Sequence, residues 1–467
     1  VWPLLVGGLA WYGVRSWRTI RAVQEKYMRI PNLSVRACII LAGCAGVIVA
    51  GIYAGVFMLQ PNEALAILFA LDIAVPALVA LCVWVTIPLS TFLKRRIMAA
   101  ATKKREEFPG LLVIGITGSY AKTSMKEFLA HILSKKFRVH KTPENANTEF
   151  AVAREMLKNI TPQHEVFIVE MGAYRQGEIA AMCNIVKPHM GILCGLNQQH
   201  VALFGGMRQL QQAKYELIQA LPQKGLAIFN ADNDQCRALY RACKKPKRAY
   251  ASEYIDGLLP HLMYPAFTSW DERGVRIVVE EQGKKIDLRA PLWGRHNIGN
   301  IMGAVSVARE LGMTWEEIAQ QCKTLSAPPH TLQMKKGIKH SRVLDDSYTA
   351  NSDGVFAALE VLGACKAQKK ICILQPLIEL GKNAEAVHAR IGEAIGASCD
   401  LCIVTSQDYF AALRRGASDA GMKKNSLWCI PDPYIALRKA QELCEEGDMI
   451  LIENRVPESI VKGLIVE

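Results

Sequence analysis

From residue 111 onward, short apolar runs alternate with helical patterns, and this alternation constrains the fold more than any other feature of the chain. LLVIGIT (111–117), VFIVEMG (166–172), MGILCGL (190–196) and GLAIFNA (225–231) read as buried strands. The stretches 125–135, 151–159 and 207–221 read as helices. Strands that are apolar throughout, separated by helices, imply a mostly parallel sheet covered on both faces. Residues 263–290 break the rhythm and suggest a small antiparallel insert, after which 297–311 returns to a helix. A second α/β block begins beyond Ala327-Pro328-Pro329, since consecutive prolines interrupt helices, with strands expected at 342–347, 370–375, 400–406 and 448–454. The expected organisation is therefore three parts: 1–105, 106–326 and 327–467. The fold class is α/β, with a phosphate-loop sheet domain followed by a Rossmann-like domain.

The first part differs in composition. Residues 41–59 and 64–93 are nearly free of charge, and each is long enough to cross a bilayer, which takes roughly 20 apolar residues. Residues 1–14 are apolar but short. Arg15, Arg18, Arg21, Lys26 and Arg29 lie before the second apolar stretch, and Lys94, Arg95, Arg96, Lys103, Lys104 and Arg105 follow the last. The positive-inside rule then places both basic stretches, and everything after residue 94, in the cytoplasm. The expected location is a multi-pass inner (plasma) membrane protein with its catalytic domains cytoplasmic and its basic flanks against membrane lipids. The net charge of +13 is partly explained by these flanks. No aromatic-basic motif of the nucleic-acid-binding kinds occurs, so no nucleic-acid partner is expected. The 14 cysteines are scattered without zinc spacing and read as reduced thiols.

The chemistry concentrates at VIGITGSYAKTSMKEF (113–128). A strand, a glycine turn and a helix N-terminus form an anion site, because backbone N–H groups and the helix dipole face the same point. Gly118, Ser119, Ala121, Lys122, Thr123 and Ser124 would cradle a nucleotide, with Lys122 reaching the terminal phosphates and the Thr123 hydroxyl facing Mg²⁺. Ala121 stands where the general phosphate loop has its second glycine. If that position needs a positive φ, alanine there costs about 1 kcal/mol or more, and glycine would tighten ATP binding.

Further motifs follow in order: TPENANTEFAVARE (142–155), VFIVEMGAYRQGEI with a following histidine and FGG (166–206), QQAKYELI (211–218), GRHNIGN (294–300) and LDDSYTANSDG (344–354). This set, over about residues 108–467, resembles the Mur ligases, the ATP-dependent amide-bond ligases of peptidoglycan synthesis, and most closely their MurF-type members. The resemblance implies a two-step reaction in which ATP phosphorylates a carboxylate and an amine then attacks. It implies that Glu170 and His200 join Thr123 as metal ligands. Lys122, Glu170, His200 and Lys214 would be the catalytic set, with Lys214 carbamylated fourteen residues past His200. His296, Asn297 and Asn300 would lie on the adenine side, and Asp346 at the ribose. Asn145, Asn147 and Asn351 would face substrate. Left to the residues alone, Asn297 also reads as a helix cap. The cofactors implied are ATP and Mg²⁺; the partners are a cell-envelope precursor, lipid-linked where membrane spans replace the soluble UDP-binding domain, and an amino acid or dipeptide.

Three motifs depart from the MurF pattern. The PGR motif reads Pro329-His330-Thr331, the VGDMxELG segment has Gln375 and Pro376 in place of glycine and aspartate, and the lysine of KGSR is Glu453 in Glu453-Asn454-Arg455. These changes keep two other readings in view: a ligase for another peptide or polymer, and a non-catalytic membrane scaffold with this fold.

Overall fold

The computed structural model describes residues 35–58, 61–197, 201–255, 259–348 and 351–466. The chain divides into two compact units, Val1–Ile97 and Met98–Glu467.

In the first unit, the helix Val35–Met58 takes in nearly all of the apolar stretch expected at 41–59, and Pro61–Glu106 includes the one expected at 64–93. Among the described residues, one helix, Ile73–Glu106, is long and apolar enough to cross a membrane, with Arg36–Gly51 a shorter apolar segment. Arg36 is satisfied within the helix pair: its Nε donates to Thr86 Oγ1 at 3.0 Å and its Nη2 to the Val83 carbonyl at 3.1 Å. The segment 1–14 lies outside the described residues.

The basic stretch that follows the last apolar run is helical to Glu106. Lys, Arg, Ala and Met are all good helix formers, and residues 101–105 are held on the domain that follows. Ala101 and Arg105 are buried. Arg105 donates Nε to Val186 O at 2.8 Å, Nη1 to Phe108 O at 2.6 Å and Nη2 to Leu111 O at 3.1 Å, while Lys104 Nζ donates to Leu157 O at 2.8 Å. One guanidinium thus satisfies three carbonyls around the entry to the first sheet.

That sheet has seven strands: β1 (Leu112–Thr117), β2 (Val139–Lys141), β3 (Val166–Glu170), β4 (Met190–Leu193), β5 (Leu226–Asn230), β6 (Lys247–Tyr250) and β7 (Leu262–Met263). Their order is β2-β3-β1-β4-β5-β6-β7, and every pairing is parallel. The expected parallel α/β domain is therefore present. β1 lies between β3 and β4, so the order reverses there, and the carboxyl ends of these three strands frame a crevice. Gly115 in β1 lets the helix Met207–Ala220 approach: a Cβ at 115 would come within 2.6 Å of Leu217. The insert expected at 263–290 is the antiparallel sheet β8 (Phe267–Asp271), β9 (Gly274–Glu281), β10 (Lys284–Ala290).

The C-terminal sheet contains β11 (Gln333–Lys336), β12 (Arg342–Asp346), β13 (Lys370–Leu374), β14 (Leu401–Val404), β15 (Leu427–Cys429) and β16 (Met449–Glu453). Its order is β11-β12-β16-β13-β14-β15, antiparallel only at β11. Apolar side chains line both faces, Leu344, Cys372 and Leu451 on one and Val343, Ile373 and Ile450 on the other. All 14 cysteines are free; Cys399 and Cys402 have C-x-x-C spacing, and Cys372 is the register partner of Cys402.

Replacing Arg105 with alanine removes the side-chain donor of Val186 O and Leu111 O, while Phe108 O keeps the Leu111 N–H. We expect it to destabilise the middle domain by about 2–4 kcal/mol, read as a lowered chemical-unfolding midpoint of the detergent-purified chain.

Candidate active site

The loop after β1 turns into the helix Lys122–Leu133 through Ala121, which caps the helix in a left-handed conformation, φ 62°, ψ 0°. The condition set by the sequence is thus met, and alanine occupies a backbone state that glycine would adopt at no steric cost. The loop is pressed against the end of β4: Ser119 N–H donates to Gly195 O at 2.6 Å. A Cβ on Gly195 would come within 2.2 Å of the Tyr120 ring, so glycine is required beneath that tyrosine. Asn233 in turn donates Nδ2 to Tyr120 OH at 3.4 Å and to Leu196 O at 2.8 Å.

Glu170, the last residue of β3, faces this loop and is almost fully buried. Thr123 Oγ1 donates to its two oxygens at 3.3 and 3.2 Å, Asn147 Nδ2 donates at 3.4 Å, and Lys126 Nζ forms an ion pair at 3.2 Å. Lys126 is wholly buried and was not singled out in the sequence. The signal was its place one helical turn after Lys122, on the same face. Lys122 itself folds back, Nζ to Ser119 O at 3.1 Å. Burial lowers its amine below the ordinary lysine value, with Glu170 opposing. Ser124 is half-buried in the helix's first turn.

Lys214 lies on the buried side of its helix with only 3% exposure, its Nζ 3.3 Å from Ala173 O and 5.7 Å from the Phe204 ring centre. Burial, reinforced by the charge of Lys122, brings its pKa down to about 7. Half of such amines are neutral at neutral pH, and only the neutral amine adds CO₂. Lys214 is therefore not a solvent-exposed helix lysine. His200 lies outside the described residues.

Asn145 sits in the left-handed region, φ 61°, and accepts a hydrogen bond at 3.1 Å from the phenol of Tyr348 in the C-terminal domain. Burial first, then the nearby Glu170 charge, raises that phenol's pKa, so it remains a donor. Asn197 Nδ2 donates to Asp353 Oδ2 at 2.7 Å across the same junction. Tyr348 lies inside the LDDSYTANSDG motif, yet nothing in the sequence marks it as the residue that reaches the loop.

His296 begins the helix His296–Glu310 and is exposed there. Asn297 lies within the first turn rather than capping it, and its Nδ2 donates to Trp293 O at 2.8 Å. Asn300 Nδ2 approaches Asn297 Oδ1 at 3.4 Å. Gly303 seats this helix against Met125 of the loop helix. Asp346 ends β12 and accepts the Leu332 N–H at 3.0 Å. Its neighbour Asp345 accepts from Lys335 Nζ at 2.6 Å and from His330 Nδ1 at 2.8 Å. Asn351 caps the helix Ser352–Ala364, accepting from Gly354 N at 3.0 Å; the side chain expected at substrate is engaged in the cap.

The arrangement fits a triphosphate and a hard cation. The Ser119 hydroxyl is buried with no hydrogen-bond partner among the described residues. Thr123 Oγ1 and Glu170 offer adjacent oxygens, and Mg²⁺ needs only one or two protein ligands beside phosphates and water. A cavity of about 650 Å³ opens elsewhere, between Arg248, Tyr264, Glu280 and Trp315, and shares no residue with the loop. Chemistry, not concavity, therefore locates the site.

Comparison with known proteins agrees with this geometry. Residues 116–308 match the Mur ligase middle domain, and residues 332–453 match the Mur ligase glutamate ligase domain. The chain belongs to the Mur ligase family. The UDP-N-acetylmuramoyl-tripeptide–D-alanyl-D-alanine ligase of Escherichia coli K12 is 29% identical over 298 residues, 63% of this chain and 64% of that protein. The chain thus spans somewhat less than two thirds of that relative's length. The ligase of the same name from Synechocystis is 28% identical over 373 residues, 79% of this chain and 76% of that protein. Among solved structures, MurF from Acinetobacter baumannii superposes with a TM-score of 0.70 at 23% identity, covering 79% of this chain and 80% of that one. MurF from Thermotoga maritima, in complex with ADP, gives 0.69 at 23% identity, covering 79% and 83%. These structural likenesses establish the Mur ligase fold.

The left-handed state that the loop adopts at position 121 costs alanine more than it would cost glycine. Ala121→Gly should therefore tighten ATP binding about fivefold, the equivalent of about 1 kcal/mol, measured by titration calorimetry. Weaker binding would refute this account of the position.

Proposed function

We propose that the protein is a membrane-anchored, MurF-like amide ligase of peptidoglycan precursor synthesis, using ATP and Mg²⁺ and passing through an acyl phosphate. The observation that carries this reading is the convergence of Thr123, Lys126 and Asn147 on Glu170 at the switch point of the parallel sheet, beside a loop whose Lys122 is held by Ser119 O. A scaffold has no need of that cluster.

Phosphoryl transfer depends mainly on positioned phosphates and compensated charge. Mg²⁺, when bound, would neutralise charge on the transferring phosphoryl group, and Thr123, Glu170 and His200 are its candidate ligands. Gly118, Ser119 and Ala121 present the loop's backbone to the phosphates. Lys122 exchanges its contact with Ser119 O for a phosphate oxygen. Asn145 and Asn147 are assigned to the donor carboxylate. Carbamylated Lys214 would become an anion behind the metal. His296, Asn297 and Asn300 are assigned to adenine and Asp346 to the ribose. Tyr348 and Asp353, bonded to Asn145 and Asn197, hold the C-terminal domain over the loop.

The relatives' names favour a UDP-muramoyl tripeptide and D-alanyl-D-alanine as substrates. The apolar N-terminal helices favour a lipid-linked form of the same donor, presented at the inner leaflet to a cytoplasmic catalytic region. The departures at Thr331 and Glu453 bear on the amine, an amino acid or dipeptide.

The test is phosphate release by the detergent-purified chain with Mg²⁺-ATP, each donor form and a panel of amines. Turnover should need one donor and one amine, and Lys122→Ala should abolish it. ATP binding without turnover on any pair would favour the scaffold instead. A separate prediction concerns Lys214. With a pKa near 7, its neutral fraction rises from about a tenth to about nine tenths between about pH 6 and about pH 8, and carbamylation should rise with it. Carbon-13 bicarbonate should give a carbamate resonance in the intact protein that is absent from Lys214→Met.

A further inference from the structure

Glu453 ends β16 in register with Asp346, which ends β12. Side chains alternate along a strand, so both point to the same face as Leu344 and Leu451, under the helices Ser352–Ala364 and Ala384–Ser398. Glu453 is fully buried and Asp346 nearly so. Neither Glu453 oxygen has a hydrogen-bond partner among the described residues. Among the described residues, the groups that act on it are the Asp346 carboxyl from β12 and the Cys372 thiol from β13, with the Asn454 backbone N–H beside it.

Two carboxylates in a dry site resist joint ionisation, because the second charge meets both desolvation and its neighbour's repulsion. Asp346 accepts the Leu332 N–H at 3.0 Å, which favours its ionised form. The proton then belongs to Glu453, whose carboxyl is held well above the usual range by burial first and by Asp346 second. We infer that Asp346 and Glu453 share one proton, with the Glu453 O–H donating to the Asp346 carboxylate, and that this bond aims Asp346 at the bound nucleotide. Glu453 is thus a positioning residue. The inference about aim rests on the assignment of Asp346 to the ribose. In the family motif this position is a lysine, a cationic donor; here the donor is a neutral carboxyl.

The sign follows from the raised carboxyl. The stabilisation is fully present below the ordinary carboxyl range and is lost as pH rises through the folded-state value. Glu453→Gln keeps a donor toward Asp346 and removes the titration. The experiment follows the thermal midpoint and the ATP affinity of the full chain in detergent, wild type against Glu453→Gln, from about pH 5 to about pH 9. The wild-type midpoint should fall with pH relative to the variant, and its ATP affinity should fall about tenfold more across the range. Parallel curves in both measurements would overturn the inference. Diverging midpoints with parallel affinities would overturn the aiming role while keeping the shared proton. If the wild type binds no ATP at any pH, the nucleotide reading fails and the aim with it, while the midpoints still decide the pair. If Glu453→Gln does not fold, Asp346→Asn replaces it in the midpoint comparison: a smaller pH-dependent fall than in the wild type supports the shared proton, and an undiminished fall overturns it.

Discussion

The contact between Glu170 and the loop helix is the interaction on which the rest of the site depends. A nearly buried carboxylate at the end of β3 is stable only if its charge is met, and Lys126 meets it from inside the helix. Thr123 and Asn147 complete the shell. The same contacts fix the helix N-terminus over the sheet's switch point, where backbone donors and the helix dipole point outward. Breaking the pair would leave an uncompensated buried charge and release the loop together.

The C-terminal domain keeps conformations where it has changed residues. His330 stands at the glycine of the PGR motif with φ 57°, and Asn454 stands at the glycine of KGSR with φ 64°. Asparagine tolerates that region better than most side chains. His330 is additionally tied to Asp345, whose carboxyl is pushed up by burial but held below the usual range overall by Lys335, Ser347 and His330. Asn454 donates Nδ2 to Gln375 O at 2.6 Å and to Pro376 O at 3.2 Å, linking two altered motifs. The departures are thus mutually supporting within one packed region, which argues against a decaying relic.

Much of this was legible in the sequence. Seven of the eight expected core strands fall within two residues of their observed bounds, because runs such as VFIVE and MILIE are apolar throughout, and the one expected at 190–196 ends three residues early, at Leu193. Short edge strands such as β2 (VHK) and β15 (LWC) carry too few residues for any period. The left-handed Ala121 was a stated condition that the backbone meets. Contacts between distant segments were not legible: Lys126 to Glu170, Tyr348 to Asn145, and Glu453 beside Asp346 depend on which strand ends the topology brings together. Asn351 illustrates the reverse, a motif residue whose side chain the fold engages locally in a cap.

The most direct test of the account is positional isotope exchange in ATP carrying oxygen-18 in the β,γ-bridge, with an acyl donor and no amine. Reversible formation of an acyl phosphate predicts scrambling of the bridge oxygen that requires the donor and disappears in Glu170→Gln. ATP that binds to the protein with a donor present yet never scrambles would contradict it.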